Sequence, residues 1–461
     1  MPCATLRKFW STPAFRILFT KWIWICIGLI VVMQVIVASS TFWIVQLIHA
    51  IQEGTNFWMP LGLYLGSLTL PYLPGAGALV ILSCWQMATL KKFVDTFIDM
   101  HQNKTAFWSD KNEKEKRVSL LTAEGQQTYN AFIEYLHRFF CCTLNVGLNI
   151  LVLSFLVEPK FLIGYGLSLF LSMLLLKWFD PKQSLIAGKA QNARIELGQS
   201  LLQSWDNVLL GNHYNFDMWR GLFAARYEKM KHWNVYSARV RQILSVLFAF
   251  FTLAPCFLIA IYSMWTHRAE PMILSAFVVT LPRLFLILGF THELIDIFSE
   301  WSLQRSRLEG INQILLSNMT IPLDERISMV GLSFYENGSE KQIKQVEELL
   351  NWAKRPCRIT IRGANGSGKS SLLLLLKERL KEDAFYFPVE NHLVFQKDGF
   401  GLSTGQGLKK KLLEIQENVD VKVLLLDEWD ANLDASNQSE ISQWLDTMVH
   451  TQCVIEVRHR D

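Results

Sequence analysis

Apolar and polar stretches alternate along this 461-residue chain at lengths that soluble cores seldom use. One uncharged run extends from Trp22 to Ile48 and a second from Trp58 to Leu90. Lys91 to Arg138 is polar and mixed in charge. Phe139 to Val157 is a third apolar run, Glu158-Pro159-Lys160 a tight turn, and Phe161 to Leu176 a short fourth run that should extend past its charged flank. Lys177 to Arg241 is polar again, Gln242 to Thr266 is the fifth run, and after His267 to Glu270 a sixth begins near Pro271 and fades through Glu293. About twenty apolar residues suffice to cross a bilayer, so six transmembrane helices are predicted. The second run is longer than needed and holds Pro60, Pro71, Pro74, Gly75 and Gly77. Its first part is predicted to be kinked or to lie outside the bilayer. Residues 297–325 read as a helical linker that ends at Pro322. The predicted architecture is therefore an all-α six-helix membrane domain over 1–321 and a soluble domain over 322–461.

Charge orients the helices. Residues 1–21, 91–138 and 177–241 carry four, eight and ten Lys/Arg, whereas the three short connections carry only Lys160 and Arg268. By the positive-inside bias, both termini and both long loops are cytoplasmic. Arg283 lies inside the sixth run, where it is either a functional charge or an arginine that reaches toward water for structural reasons. The formal charge of +4 is too small to suggest a nucleic-acid partner. The eight cysteines show no metal spacing and read as free, buried thiols. With no small-residue cleavage site after it, the first run reads as a retained helix.

The soluble part contains Gly363-Ala364-Asn365-Gly366-Ser367-Gly368-Lys369-Ser370-Ser371, which fits G-x-x-x-x-G-K-[ST]. It follows Arg358-Ile359-Thr360-Ile361 and precedes Leu372 to Leu376, the strand–loop–helix setting this motif needs. Its glycines let backbone N–H groups of the loop turn inward around a phosphate, and the following helix points its positive end at the same anion. Lys369 is then placed for the β- and γ-phosphates and Ser370 for Mg²⁺. Val421 to Asp427 is a β-branched and Leu run that ends in an acid, the pattern of a buried parallel strand whose end faces a ligand crevice. Asp427 is the second candidate Mg²⁺ residue, and Glu428 is placed to polarise an attacking water.

At this point the chain resembles the ATP-binding cassette (ABC) family. Leu402-Ser403-Thr404-Gly405-Gln406 is similar to the family's LSGGQ signature, 21 positions before Asp427. Ala431-Asn432-Leu433-Asp434 resembles the D-loop, and Val454 to Arg460 resembles the last strand with its switch histidine at His459. Leu332-Ser333-Phe334-Tyr335 resembles the first strand, with Tyr335 either the adenine-stacking aromatic or a plain strand residue. Six spans with long loops after the second and fourth resemble an exporter-type half-transporter, and Asp427-Glu428-Trp429 is similar to bacterial exporters of cyclic peptides and siderophores. The resemblance implies a shortened α/β P-loop NTPase domain, ATP and Mg²⁺ as ligands, and location in a bacterial inner membrane. It also implies a peptide-like, siderophore-like or amphipathic cargo.

In the family one subunit's signature covers the γ-phosphate bound by the other. Ser403, Gly405, Gln406 and Asp434 would therefore complete a partner's site, the partner being a second copy or another cassette half-transporter. The loop tips 107–118 and 210–219 are the candidate coupling segments, with ordinary solvated turns as the other reading. Two departures stand out. Only 33 residues separate Lys369 from Leu402, too few for the usual helical subdomain, and Val389 stands where its glutamine is expected, with Gln396 a displaced substitute. A membrane-bound ATP-binding regulator that needs a complete cassette partner is the alternative, and uptake instead of export uses the same residues.

Overall fold

A long apolar segment in hydrocarbon must satisfy its backbone N–H and C=O groups internally, so it coils into a helix. In the computed structural model, which describes residues 10–156, 159–268, 271–317, 322–388, 393–395, 404–431 and 433–458, helices make up most of the chain. Residues up to 93 together with 126–310 form one unit, and 94–125 together with those from 311 onward form another. The sequence reading placed residues 94–125 in the loop after the second span. Here they belong to the same unit as the soluble part.

The first unit is built on α1 (Lys21–Gln52), α2 (Trp58–Thr69), α3 (Tyr72–His101) and, beyond a helix α4 (Lys111–Ser119) of the second unit, α5 (Gly125–Leu156), α6 (Lys160–Leu202), α7 (His213–Thr266) and α8 (Pro271–Leu316). Among the described residues, five helical stretches are long and apolar enough to cross a membrane: Lys21–Gln52, Trp58–His101, Gly125–Leu156, Lys160–Phe179 and His213–Thr266. The second stretch breaks between α2 and α3, where Pro71 has no N–H to continue the ladder. The fourth does run past its charged flank, as the first stretch of α6. The sixth expected span lies in α8, which is not one of the five. Many α8 side chains, Arg283 among them, lie outside the described ones. The apolar faces differ from a soluble core in where they point: Trp24 is 68% and Phe155 85% exposed. Some polar groups facing inward pair with one another, as where Asn145 Nδ2 donates to Gln34 Oε1 at 2.8 Å.

The second unit contains one mixed sheet of six strands, β1 (Leu332–Glu336), β2 (Ser339–Lys341), β3 (Arg358–Gly363), β4 (Ala384–Phe387), β5 (Val423–Asp427) and β6 (Cys453–Val457), in the order β2-β1-β3-β6-β5-β4. β1 pairs antiparallel with β2 and β3, while β3, β6, β5 and β4 run parallel. All five residues of β5 and of β6 are buried. That is why these strands read as continuous apolar runs and not as alternations. The helices of this unit are α4, α9 (Val346–Trp352), α10 (Lys369–Leu380), α11 (Thr404–Asn418) and α12 (Ala435–Met448). Leu372, Leu373 and Leu376 of α10 pack into the core with Ile359 and Ile361 of β3 and Leu425 of β5. This fixes the start of α10 against the carboxyl ends of the parallel strands.

Candidate functional site

The turn after β3 can be tight only because its glycines have no Cβ. Gly366 and Gly368 sit at φ +82° and +92°, a region that side chains disfavour. A Cβ on Gly368 would lie 2.5 Å from the Arg326 carbonyl oxygen. The chain then enters α10 at Lys369, whose side chain is buried and donates to the carbonyls of Gly363 at 2.7 Å and Ala364 at 3.2 Å. Asn365 and Gly366 are exposed at the loop's rim. The Ser367 hydroxyl oxygen is buried and, among the described residues, has no hydrogen-bond partner, an orphan polar atom on the cradle itself.

Asp427 ends β5 opposite this loop. It accepts a hydrogen bond from the Ser370 hydroxyl at 3.1 Å on one oxygen and from the Tyr386 hydroxyl at 2.9 Å on the other. Burial pushes its carboxyl above the usual range, against those two hydrogen bonds and in concert with the neighbouring Glu428. The Tyr386 hydroxyl is itself pushed up by burial and by the Asp427 carboxylate, so it remains a donor. Glu428 has φ +46°, unusual for a side-chain-bearing residue, and its N–H donates to the Val457 carbonyl at 3.0 Å.

Behind it Trp429 is buried. Its Nε1 donates at 2.8 Å to Glu456, a fully buried carboxylate that also accepts from Arg358 at 3.0 and 3.1 Å and from Thr360 at 2.9 Å. Arg458 adds a contact to Asp430 at 3.3 Å and stacks 5.1 Å from the Trp429 ring. The residues flanking Glu428 are thereby tied to the last strand.

Between the loop and Asp427 opens a cavity of about 840 Å³. Asn365, Gly366, Gly368, Lys369, Ser370 and Ser371 line one side, and Asp427 and Glu428 another. Hydroxyl and carboxylate oxygens at Ser370 and Asp427 are the hard donors a Mg²⁺ ion takes, beside a polar cradle with an unpartnered hydroxyl. The residues present fit a metal-bound phosphate group.

Other predicted residues lie elsewhere or outside the described ones. Tyr335 is on β1 with the Arg362 guanidinium 5.0 Å from its ring, and it does not line this cavity. Asp434 caps α12, accepting from the Asn437 N–H at 2.7 Å. Gln406 is exposed in the first turn of α11, and Gly405 is helical there. Ser403, His459, Val389 and Gln396 lie outside the described residues.

Sequence reasoning missed Tyr386, Glu456 and the cavity's two contributions from 94–125, Trp108 and Lys114. Tyr386 lies on β4, and its partner Asp427 is 41 residues away. Glu456 falls in the stretch Val454 to Arg460 and Trp108 and Lys114 in the loop tip 107–118, but no local signal gives any of the three its partner. No family model matches the chain, and no curated protein matches it.

Proposed function

We propose that this chain is an ABC-type half-transporter that binds and hydrolyses Mg²⁺-ATP and works as a homodimer, exporting a peptide-like, siderophore-like or amphipathic cargo. The observation that carries the reading is the Ser370–Asp427 hydrogen bond under a glycine loop that leads into α10, with Lys369 and Glu428 in the same cavity. Ser370 and Asp427 would hold a Mg²⁺ ion, which supplies positive charge to the phosphates when bound. Lys369 would exchange its loop carbonyls for phosphate oxygens, and the amides of Gly366 to Ser370 would hold the same group. Glu428 would accept the proton of the attacking water. Signature residues Ser403, Gly405 and Gln406, near the start of α11, would close the partner's site, and His459 would reach the γ-phosphate. ATP contacting both copies only when they are together would favour the closed form, and its hydrolysis would release it.

The test is the ATPase rate of the purified chain in lipid beside its Glu428→Gln variant. A rate abolished by the substitution supports the reading; an equal rate in both overturns the role of Glu428. One observation favours a second reading. Only residues 388–403 separate β4 from α11, so little chain is available for a helical subdomain, as in a membrane-bound ATP-binding regulator that needs a complete cassette partner. Binding of ATP without hydrolysis, and co-purification of a second cassette chain, would select it.

A further inference from the structure

The nucleotide cavity has a wall that the phosphate-loop motifs do not supply. A 3₁₀ turn, Thr105–Ser109, lies on α10: the Thr105 hydroxyl donates to the Leu374 carbonyl at 3.4 Å, and Ala106 packs on Leu323, Leu374 and Leu375. The following α4 is capped by Asp110, which accepts from the Glu113 N–H at 3.1 Å. Most charges of this segment are engaged. Asp110 faces Arg326 at 4.0 Å. Glu113 is bound by Lys116 and Arg117, and Arg117 also donates to Ser317 at 2.8 Å and lies 3.8 Å from the centre of the Phe107 ring.

Lys114 differs. It is exposed, its ammonium sits 4.8 Å from the centre of the Trp108 ring, and among the described residues it pairs with no carboxylate. Both Trp108 and Lys114 line the cavity that holds Lys369, Ser370, Asp427 and Glu428.

We infer that Lys114, held by Trp108, is a nucleotide-binding residue that reaches the terminal phosphates of a nucleoside triphosphate, so that residues 105–118 form part of the binding site itself. The reasons are charge and size. Among the described residues the cavity has two other cations: Lys369, which would turn to the phosphates held by its own loop, and Arg326, which faces Asp110 at 4.0 Å. Two acids face the same space, so a polyphosphate needs an added positive group to be held there. About 840 Å³ is room for a whole nucleotide and not only for a loop-bound phosphate. The contact of an exposed cation with an indole is worth only about 0.5–1 kcal/mol, so the ammonium can leave it for an anion. The segment would then respond to the presence of the terminal phosphate by direct contact, in a chain with little room for a helical subdomain to do so.

This inference rests on the proposal that the cavity binds ATP, and the experiment separates the two. ATP and AMP affinities are measured by displacement of a fluorescent ATP analogue from the full chain in lipid nanodiscs, for the unchanged protein and for Lys369→Ala, Lys114→Ala and Lys114→Arg. Lys114→Ala should weaken ATP about tenfold and AMP less than about twofold, with Lys114→Arg recovering most of the loss. ATP affinity unchanged in Lys114→Ala but lost in Lys369→Ala overturns this inference alone, as does equal weakening toward ATP and AMP. No ATP binding by the unchanged chain, or none lost in Lys369→Ala, overturns the underlying reading. A second measurement needs no variant: amide exchange across 105–118 should slow on adding ATP and not AMP, and an unaltered rate overturns the contact.

Discussion

Gly368 carries two constraints at once, a left-handed φ of +92° and the Arg326 carbonyl 2.5 Å from where a Cβ would stand. Backbone cannot yield as a flexible side chain does, so Gly368→Ala should displace the loop or residues 326–327. We expect a loss of about 1–3 kcal/mol, read as a lower unfolding temperature, together with loss of ATP binding. Glu428 holds a comparable conformation with a side chain present. It is kept there by what surrounds it: its own N–H on Val457, Trp429 on Glu456, and Asp430 on Arg458.

At the scale of elements, β3, β5 and β6 are joined by one buried network. Glu456 sits on the central strand and receives Arg358 and Thr360 from β3 and Trp429 from just beyond β5. Removing the carboxylate would take the acceptor from the Trp429 indole N–H and the Thr360 hydroxyl and leave the buried Arg358 guanidinium to Asp446, at 2.6 Å, and Ser442. Glu456→Leu should therefore cost about 3–5 kcal/mol, whereas Trp429→Phe, which removes one neutral donor, should cost about 1 kcal/mol. Denaturant midpoints of β5 and β6 amide exchange in the full chain check the order, and equal effects would contradict a network centred on Glu456.

The segment from 105 to 119 has its own pH dependence. Hydrogen bonds from Arg117 and then Lys116 hold the Glu113 carboxyl below the ordinary range. A depressed acid contributes stability that is present above its unfolded value, about 4.3, and disappears as pH falls through the lower folded value. Protection factors across 105–119, that is, exchange corrected for its intrinsic pH dependence, should thus be steady near neutrality and fall only below about pH 4, and Glu113→Gln should flatten that fall.

At the scale of the molecule, the five helical stretches among the described residues that are long and apolar enough to cross a membrane predict that the chain stays with the lipid through alkaline carbonate and leaves it only in detergent. Recovery in the carbonate supernatant would contradict membrane spanning. The division into units is the less obvious feature at this scale: residues 94–125 fold with those from 311 onward, nearly two hundred positions later. That joins Trp108 and Lys114 to the loop at Gly363–Ser371.

What was legible in the chain is what contiguous residues determine. Span length follows from apolar runs, the break at Pro71 from a missing N–H, and the strand–loop–helix at Gly363 from a motif whose groups are all adjacent. The buried strand ending at Asp427 follows from an unbroken run of Val and Leu. Only the tertiary structure decided which distant groups meet: Tyr386 on Asp427, Glu456 behind Trp429, Trp108 and Lys114 beside Lys369 at the cavity wall. These are pairings between segments brought together by packing of the sheet and of α10. A charged or aromatic residue has the same local pattern whether it faces water, a partner or a ligand, so such meetings leave no periodicity to read.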